Sequence, residues 1–423
     1  MTTSGAAGDG HGRDADLRAW AAWGLASLFF FYALALRVSP SVMVDELMRD
    51  FALGGALVGN LSAFYFYAYA GLQIPIGVML DRLGPRRLMS GGAALAGMGC
   101  LIFSAADSIT MAYLGRMLLG AGSAFSWVGA LTVIVQWFHP SRFAGLAGGT
   151  QAFGMVGAIC GQAPLGFVVG AYGWRFGVLW LGLFGLALAL GIFAVVRDRP
   201  HVALHKTTSV ASGLRIAMAQ PQTWLSGIFG MAMVTPASAF GGLWAVPYLM
   251  QVHGLDRTEA ASLTSLIFVG WAVGAPLLGG ISDRLGRGRL PMILGALTAA
   301  LCLGALPFTH GAPPAVLAAL LMAQSIAAST MVCGVALARE RTPPQVSSTA
   351  MGVVNMFVIG SGAVFQPLIG WILDLNWDGR EQDGARVYSA AAYDWGLAVL
   401  PVACLIGFAA ALLSRDMPAR TAR

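Results

Sequence analysis

The chain has 423 residues, of which 57% are hydrophobic and only 10% are charged. An ordinary soluble protein carries roughly 25% charged residues, so this composition excludes a water-soluble globule and indicates a protein surrounded by lipid. The formal net charge is +6, but the basic residues lie in short connections between apolar segments and form no continuous basic face. Nucleic acid is therefore not an expected partner.

Twelve segments of the chain are long and apolar enough to cross a bilayer, which requires about 20 mostly apolar residues. These predicted spans are 19–44, 55–80, 88–106, 110–138, 143–171, 175–196, 222–250, 259–282, 290–309, 313–338, 346–373 and 394–414. They divide the chain into an N-terminal bundle, a linker and a C-terminal bundle, at 19–196, 197–221 and 222–414. Residues 1–18 and 415–423 are polar and are predicted to be tails, the first of them disordered.

The distribution of basic residues predicts the orientation of the chain. If the N-terminus is inside, 18 of the 25 Lys and Arg residues fall in inner segments and five in outer loops. The positive-inside rule therefore predicts that both termini are cytoplasmic. We expect a multi-pass protein of a plasma membrane, such as the bacterial inner membrane, with the first helix as an uncleaved anchor.

Two sequence repeats relate the halves of the chain. "GVMLDRLGPRR" at 77–87 returns as "GGISDRLGRGR" at 279–289, and "QAPLG" at 162–166 returns as "QPLIG" at 366–370. A duplicated set of six helices is typical of secondary transporters, whose substrate site lies between the repeats near the middle of the membrane. The sequence thus predicts a transport site between two related bundles.

The same segments resemble the signature sequences of the major facilitator superfamily. Residues 77–87 fit its G-x-x-x-D-R-x-G-x-R-R loop in full, and 279–289 fit the weaker second copy. The segments "GRMLLGAG" at 115–122 and "YGWRFGV" at 172–178 agree with it. The resemblance covers roughly residues 19 to 414 and implies an all-α membrane fold of two pseudo-symmetric six-helix bundles that works by alternating access.

The repeated loops are expected to control conformation. A tight turn requires glycine at Gly84, and Asp81 can accept hydrogen bonds from a helix N-terminus or an arginine. In the family this latch helps to hold the outward-open state, although the loop arginines could also serve only to fix topology. The predicted conformational residues are Gly77, Asp81, Arg82, Gly84, Arg87, Asp283, Arg284, Gly286 and the helix-bending Pro164 and Pro367.

Two arginines lie inside predicted spans. Arg37 and Arg116 are about seven and six residues from the outer ends of the first and fourth spans, so both lie roughly 10 Å below the outer surface. An arginine at that depth is a functional candidate by default, and its planar fork suits a carboxylate. Two other interpretations remain open: Arg37 could extend to the outer headgroups, and Arg116 could be structural.

One arginine in each of these spans is also the pattern of the anion:cation symporter branch, which carries organic anions. Ser123 stands where that branch often has an acidic residue for proton coupling, so the coupling ion, H⁺ or Na⁺, stays open. The second half offers no cation at this level, but it offers aromatic and amide groups. The predicted contacts to substrate are Arg37, Arg116, Tyr65, Tyr69, Trp244, Tyr248, Asn355 and Gln366.

The leading prediction is therefore a secondary transporter of a small organic anion, such as a monocarboxylate or a sugar acid. We expect it to act as a monomer in the lipid bilayer. Two alternatives remain: an exporter or uniporter of zwitterions, dipeptides or amphipathic drugs, and a transporter-like membrane sensor. The five cysteines lie in apolar stretches without metal-binding spacing, and no catalytic or phosphate-binding motif is present. Neither enzymatic activity nor a cofactor or metal is predicted.

Overall fold

The computed structural model describes residues 8–198, 215–216, 218–285, 288–341 and 347–414. Most of the predicted linker and the C-terminal tail lie outside these ranges. The first helix begins at Gly8, before the predicted start of the first span at residue 19.

The described chain is almost entirely helical, with helices as follows. The first half contains α-helices Gly8–Val38, Val44–Phe51, Gly55–Ser104, Ile109–Ser123, Phe125–Trp137, Phe143–Cys160, Ala163–Tyr172 and Trp174–Val195, with short 3₁₀ turns at Ser39–Val42 and Pro140–Arg142. The second half contains α-helices Pro221–Thr235, Ala245–His253, Arg257–Leu285, Arg289–Gly304, Pro314–Ala328, Met331–Arg341, Ser347–Leu375, Ala390–Leu397 and Val399–Leu413, a π-helical segment Pro236–Trp244 and a 3₁₀ turn Leu306–Thr309. A two-stranded antiparallel hairpin pairs Glu381–Gln382 with Ala385–Arg386.

Each predicted span coincides with helical structure, and the predicted all-α fold of two six-helix bundles is confirmed. Within the described ranges, ten helices or helix pairs are long and apolar enough to cross a membrane on their own. The second span begins at Gly55, after a 111° bend that follows Val44–Phe51. The ninth span is the shorter apolar helix Arg289–Gly304.

The second and eleventh spans bring the two halves together through glycines. We call the end of the bundle that carries residues 44–55 and 376–389 the outer end, following the predicted orientation. A Cβ atom added at Gly59 would lie 2.5 Å from the carbonyl oxygen of Gln366, and one at Gly370 would collide with the carbonyl of Gly55. Only glycine permits this approach of backbones, which closes the outer end in this structure.

The predicted orientation can be tested with single cysteines introduced at His205 and Gln382 in a variant whose native cysteines have been replaced. A membrane-impermeant maleimide applied to intact cells is expected to label Cys at 382 and to reach Cys at 205 only after the membrane is opened. The positive-inside distribution of arginines is the physical reason for this expectation. Labelling of both sites from outside would contradict the orientation.

Candidate functional site

Arg37 is surrounded by aromatic rings of the second span. Its guanidinium carbon lies 5.9 Å from the ring centre of Tyr65, 6.0 Å from that of Phe66 and 5.2 Å from that of Tyr69, all within the range of cation–π attraction. No carboxylate among the described residues lies within ion-pair distance of it. Its Nε atom is buried without a hydrogen-bond partner. The charge of Arg37 is therefore stabilised by π faces and hydroxyl groups but is not neutralised.

Arg116 also lies over the Tyr65 ring, with its guanidinium carbon 5.3 Å from the ring centre. It is only 1% exposed. Its two terminal nitrogens donate hydrogen bonds of 3.2 Å to the carbonyl oxygens of Leu36 and Ser62. The structure thus brings the two arginines together at one ring. The two terminal nitrogens of Arg116 bind the first and second spans to the fourth. The sequence had instead predicted that these nitrogens bind a substrate.

A line of side chains continues along the second span beyond Arg37. The Tyr65 and Tyr69 rings stack with centres 5.9 Å apart, and Tyr65 donates a 3.1 Å hydrogen bond to the carbonyl of Ala33. Gln73 follows one turn later and accepts a 3.0 Å hydrogen bond from the amide of Asn355 in the eleventh span. The Nε2 atom of Gln73 is buried and lacks an aligned acceptor, although Gln73 lies next to the Tyr69 hydroxyl.

Sequence reasoning did not select Gln73. The regular spacing of Tyr65, Tyr69 and Gln73, each four residues after the last, was the signal that could have found it, because residues four apart lie on one face of a helix. Gln73 and Asn355 are both half-buried, and each half of the chain supplies one of them. This amide pair extends the group around Arg37 to the second half.

Three of the four residues predicted from the second half each donate a hydrogen bond within that half. Trp244 donates a 3.0 Å hydrogen bond to the carbonyl of Gln366, and the Gln366 amide donates one of 2.8 Å to the carbonyl of Ser238. The Tyr248 hydroxyl lies 3.4 Å from the carbonyl of Leu306. All three predicted residues are buried in the core. Of the four, Asn355 is the one whose side chain hydrogen-bonds to the first half.

Asp374 closes the outer end by capping the second span. Its two carboxylate oxygens each accept a 2.9 Å hydrogen bond, from the backbone N–H groups of Gly55 and Ala56. Tyr388 and Arg386 donate to the same carboxylate at 2.6 and 3.0 Å. A carboxylate at a helix N-terminus is favoured because it meets free N–H groups and the positive end of the helix dipole. This cap joins the second half to the first.

A second outer contact involves the acidic pair at the start of Val44–Phe51. Glu46 forms a 2.5 Å ion pair with Arg257, and Asp45 accepts a 3.4 Å hydrogen bond from the amide of Gln251. Two carboxylates thus face a single nearby arginine of the second half, with Arg49 further away. Burial, together with the neighbouring charge of Glu46, raises the pKa of the Asp45 carboxyl from its ordinary value of 3.8 to about 6.

This shift predicts a pH dependence of stability. Because the folded state holds the Asp45 proton more tightly than the unfolded chain does, the contribution is fully present below about pH 4 and is lost as the pH rises through about 6. Its size is on the order of 2–3 kcal/mol. Melting temperatures of the wild type and Asp45→Asn between pH 4 and pH 8 measure it. The variant is expected to lose this part of the pH dependence; identical profiles would contradict the assignment.

The repeated loop of the first half is described in part. Gly84 has a φ of 75°, in the region that favours glycine, and separates the second span from the third. The backbone N–H of Arg86 donates 2.9 Å to Asp198, which ties the loop to the end of the sixth span. Arg87 and Arg284 are exposed. The other predicted conformational residues of the two loops lie outside what the structure describes: Gly77, Asp81, Arg82, Asp283 and Gly286.

The gating role predicted for Asp81 has its own test. Asp81→Asn is expected to slow transport turnover by tenfold or more and to leave equilibrium affinity for substrate within about threefold, because a latch biases conformations without touching the substrate. Exchange and binding measured on the same preparation separate the two effects. A large loss of affinity with normal exchange would contradict the gating role.

Of the two prolines predicted as bends, one lies at a break between helices and the other lies within a continuous helix. Pro164 stands in the first turn of Ala163–Tyr172, directly after the break that separates this helix from Phe143–Cys160. Pro367 lies inside Ser347–Leu375. Fully buried glutamines precede them: Gln162 lies two residues before Pro164, and Gln366 lies directly before Pro367.

These features together define a polytopic helical membrane protein of two related halves, with two arginines inside its spans that have no carboxylate partner among the described residues. The chain matches the family model described as Major Facilitator Superfamily over residues 25–256 and 228–423. It therefore belongs to the Major Facilitator Superfamily, a family of membrane transporters, as its signature loops predict.

Curated relatives share this family at low identity. The chain is 24% identical over 290 residues to a probable sulfoacetate transporter of Cupriavidus necator. This match covers 65% of this chain and 67% of that protein. It is 25% identical over 286 residues to a probable L-galactonate transporter of Escherichia coli, with 63% of each chain covered.

A solved structure supports the fold. The crystal structure of a bacterial homologue of the human lysosomal transporter Spinster, in an inward-facing and unoccupied conformation, matches with a TM-score of 0.75. The match covers 95% of this chain and 99% of that one at 20% sequence identity. At this identity the likeness concerns the fold alone.

Proposed function

We propose that this transporter moves a small organic anion with a single carboxylate, and that Arg37 binds the carboxylate. The observation that carries the proposal is the position of Arg37: half-buried inside the membrane-spanning bundle, against three aromatic rings of the second span, without a carboxylate partner among the described residues. A cation in this environment costs at least about 2.5–3.5 kcal/mol. An anionic substrate removes that cost, which favours its binding over that of a neutral molecule.

The surroundings of Arg37 favour an anion over a zwitterion. An ammonium group would need a carboxylate or several carbonyl acceptors, and within the described ranges the site around Arg37 contains tyrosine hydroxyls, aromatic faces and amides. Arg116 donates both terminal nitrogens to backbone carbonyls, whereas the neighbours of Arg37 are tyrosine hydroxyls and aromatic faces of the second span, which a carboxylate can displace. One available fork suits one carboxylate.

The remaining groups suit the body of such a substrate. Tyr69 and Phe66 offer apolar faces beside the carboxylate position. Gln73 and Asn355, one helical turn (about 5–6 Å) further along, offer donors and acceptors to a polar substituent. Because the two amides belong to different halves, a substrate that contacts both would couple its binding to the relative position of the halves. The candidate coupling ions are H⁺ and Na⁺.

Thermal shifts of the purified protein test the substrate class. A ligand at a hundredfold excess over its Kd stabilises the native state by about 2.7 kcal/mol. We expect stabilisation by one or more members of a series of small monocarboxylates (lactate, butyrate, gluconate), but not by their uncharged amides or by dipeptides. Stabilisation by dipeptides or amides equal to that by the acids would contradict the proposal.

A further inference from the structure

The seventh span is interrupted where it passes the contact between the halves. Pro236–Trp244 is π-helical, between the α-helices Pro221–Thr235 and Ala245–His253. Pro236 contributes no N–H group to the helix, and the Gly241–Gly242 pair gives the backbone freedom to widen. Segments of this kind are frequently found at functional sites. Their irregular hydrogen bonding leaves carbonyl oxygens available to side chains.

Two fully buried glutamines bind carbonyl groups of this segment. The Nε2 atom of Gln162 donates a 2.7 Å hydrogen bond to the carbonyl of Gly241, and that of Gln366 donates one of 2.8 Å to the carbonyl of Ser238. These glutamines are the first residues of the repeated stretches "QAPLG" and "QPLIG". The internal duplication has thus produced two equivalent donors that converge on one interrupted helix.

The two contacts differ in which half supplies the donor. Gln366 belongs to the same half as the seventh span, and that half also holds the segment through Trp244, whose indole donates to the Gln366 carbonyl, and through a 2.7 Å contact between the Ser238 and Ser361 hydroxyls. Gln162 belongs to the first half. The side-chain oxygen Oε1 of Gln162 accepts a 2.9 Å hydrogen bond from the Ser41 hydroxyl, which holds the amide in the orientation that reaches Gly241.

We propose that Gln162 is a positioning residue of the transport cycle: its hydrogen bond to Gly241 holds the outer end closed and breaks when the outer end opens. Gln366 keeps the segment attached to its own half throughout. A buried hydrogen bond of this kind is strong while the outer end is closed, because the surroundings exclude water. In the open form both partners can bind water, so the bond is exchanged for hydration and opening remains reversible.

Distances between spin labels at Asp107→Cys and Gln382→Cys, in a variant without the five native cysteines, report the opening of the outer end. Both positions are exposed, one on each half. Gln162→Met keeps the size of the side chain but removes the donor. It is expected to increase the population with a long label distance about fivefold. Gln366→Met is the matched control and is expected to leave the distance distribution unchanged.

Two further variants keep the inference falsifiable if Gln162→Met folds poorly. Ser41→Ala is expected to shift the population in the same direction by a smaller factor. Gln162→Glu can donate to Gly241 only when protonated, so its outer end is expected to close at low pH and to open as the pH rises, which a merely structural role would not produce. Unchanged distances in Gln162→Met, equal shifts in both methionine variants, or a pH-independent Gln162→Glu would overturn the inference. None of these measurements needs a substrate, so the result is independent of the anion proposal.

Discussion

Arg37→Ala is expected to abolish binding of the organic anion and to leave the melting temperature equal to or above that of the wild type. The loss of binding follows because Arg37 is the arginine that we propose binds the carboxylate. The unchanged or raised stability follows because the substitution removes a buried charge that no described carboxylate neutralises. Groups that serve function commonly destabilise the free protein in this way.

Binding and melting of the same preparations measure both parts of this prediction. Arg37→Lys is the informative companion, since it keeps the charge but loses the two parallel donors of the guanidinium group; we expect it to recover less than a tenth of the wild-type affinity. Arg18→Ala, at an exposed position of the same helix, serves as the matched control and is expected to bind normally. Normal binding by Arg37→Ala would remove the anion site from this position.

Arg116→Ala is expected to have its main effect on stability. Two buried carbonyl groups, those of Leu36 and Ser62, lose their donors, and each unsatisfied group costs about 1–3 kcal/mol. The lost side chain also leaves a cavity beside Tyr65, which adds to the loss. We therefore expect the free energy of unfolding to fall by about 2–6 kcal/mol, with a correspondingly lower melting temperature.

Chemical denaturation or thermal melting in the same detergent compares Arg116→Ala with Arg37→Ala directly. Arg116→Ala is expected to lower the melting temperature and to keep binding. Arg37→Ala is expected to lose binding and to keep or raise the melting temperature. Where Arg116→Ala still folds, its affinity for the anion is expected to remain within about tenfold of the wild type. A variant that retains full stability but loses binding would show instead that both arginines hold the substrate, as their equal depth in the sequence suggests.

The spans, the repeat and Arg37 could be recognised from the sequence because each depends on a local pattern. Hydropathy defines spans, and an arginine within an apolar run stands out. The depth of a residue follows from its distance to the end of a helix, which placed Arg37 and Arg116 at one level. The direction of each side chain does not follow from depth. It depends on the packing of three helices around Tyr65, and the capture of Arg116 by Leu36 and Ser62 could not be predicted.

The contacts between distant parts of the chain were equally hidden. Asp374 was recognisable as an acidic residue near a helix end, but its role as a cap on the second span requires the two spans to cross at Gly55 and Gly370. Trp244 and Gln366 were assigned to the cavity on residue type, whereas the interruption of the seventh span turns them toward each other. Gln73 has no distinctive sequence signal until its helical face is known.

The most direct test of the central claim is solute counterflow in proteoliposomes loaded with the monocarboxylate that gives the largest thermal shift. External radiolabelled substrate should accumulate transiently and saturably with the wild type, and at the level of empty liposomes with Arg37→Ala, although both proteins are folded and inserted to the same extent. Equal accumulation by the two proteins would contradict a role of Arg37 in carrying the anion, and binding without any accumulation by the wild type would indicate a sensor.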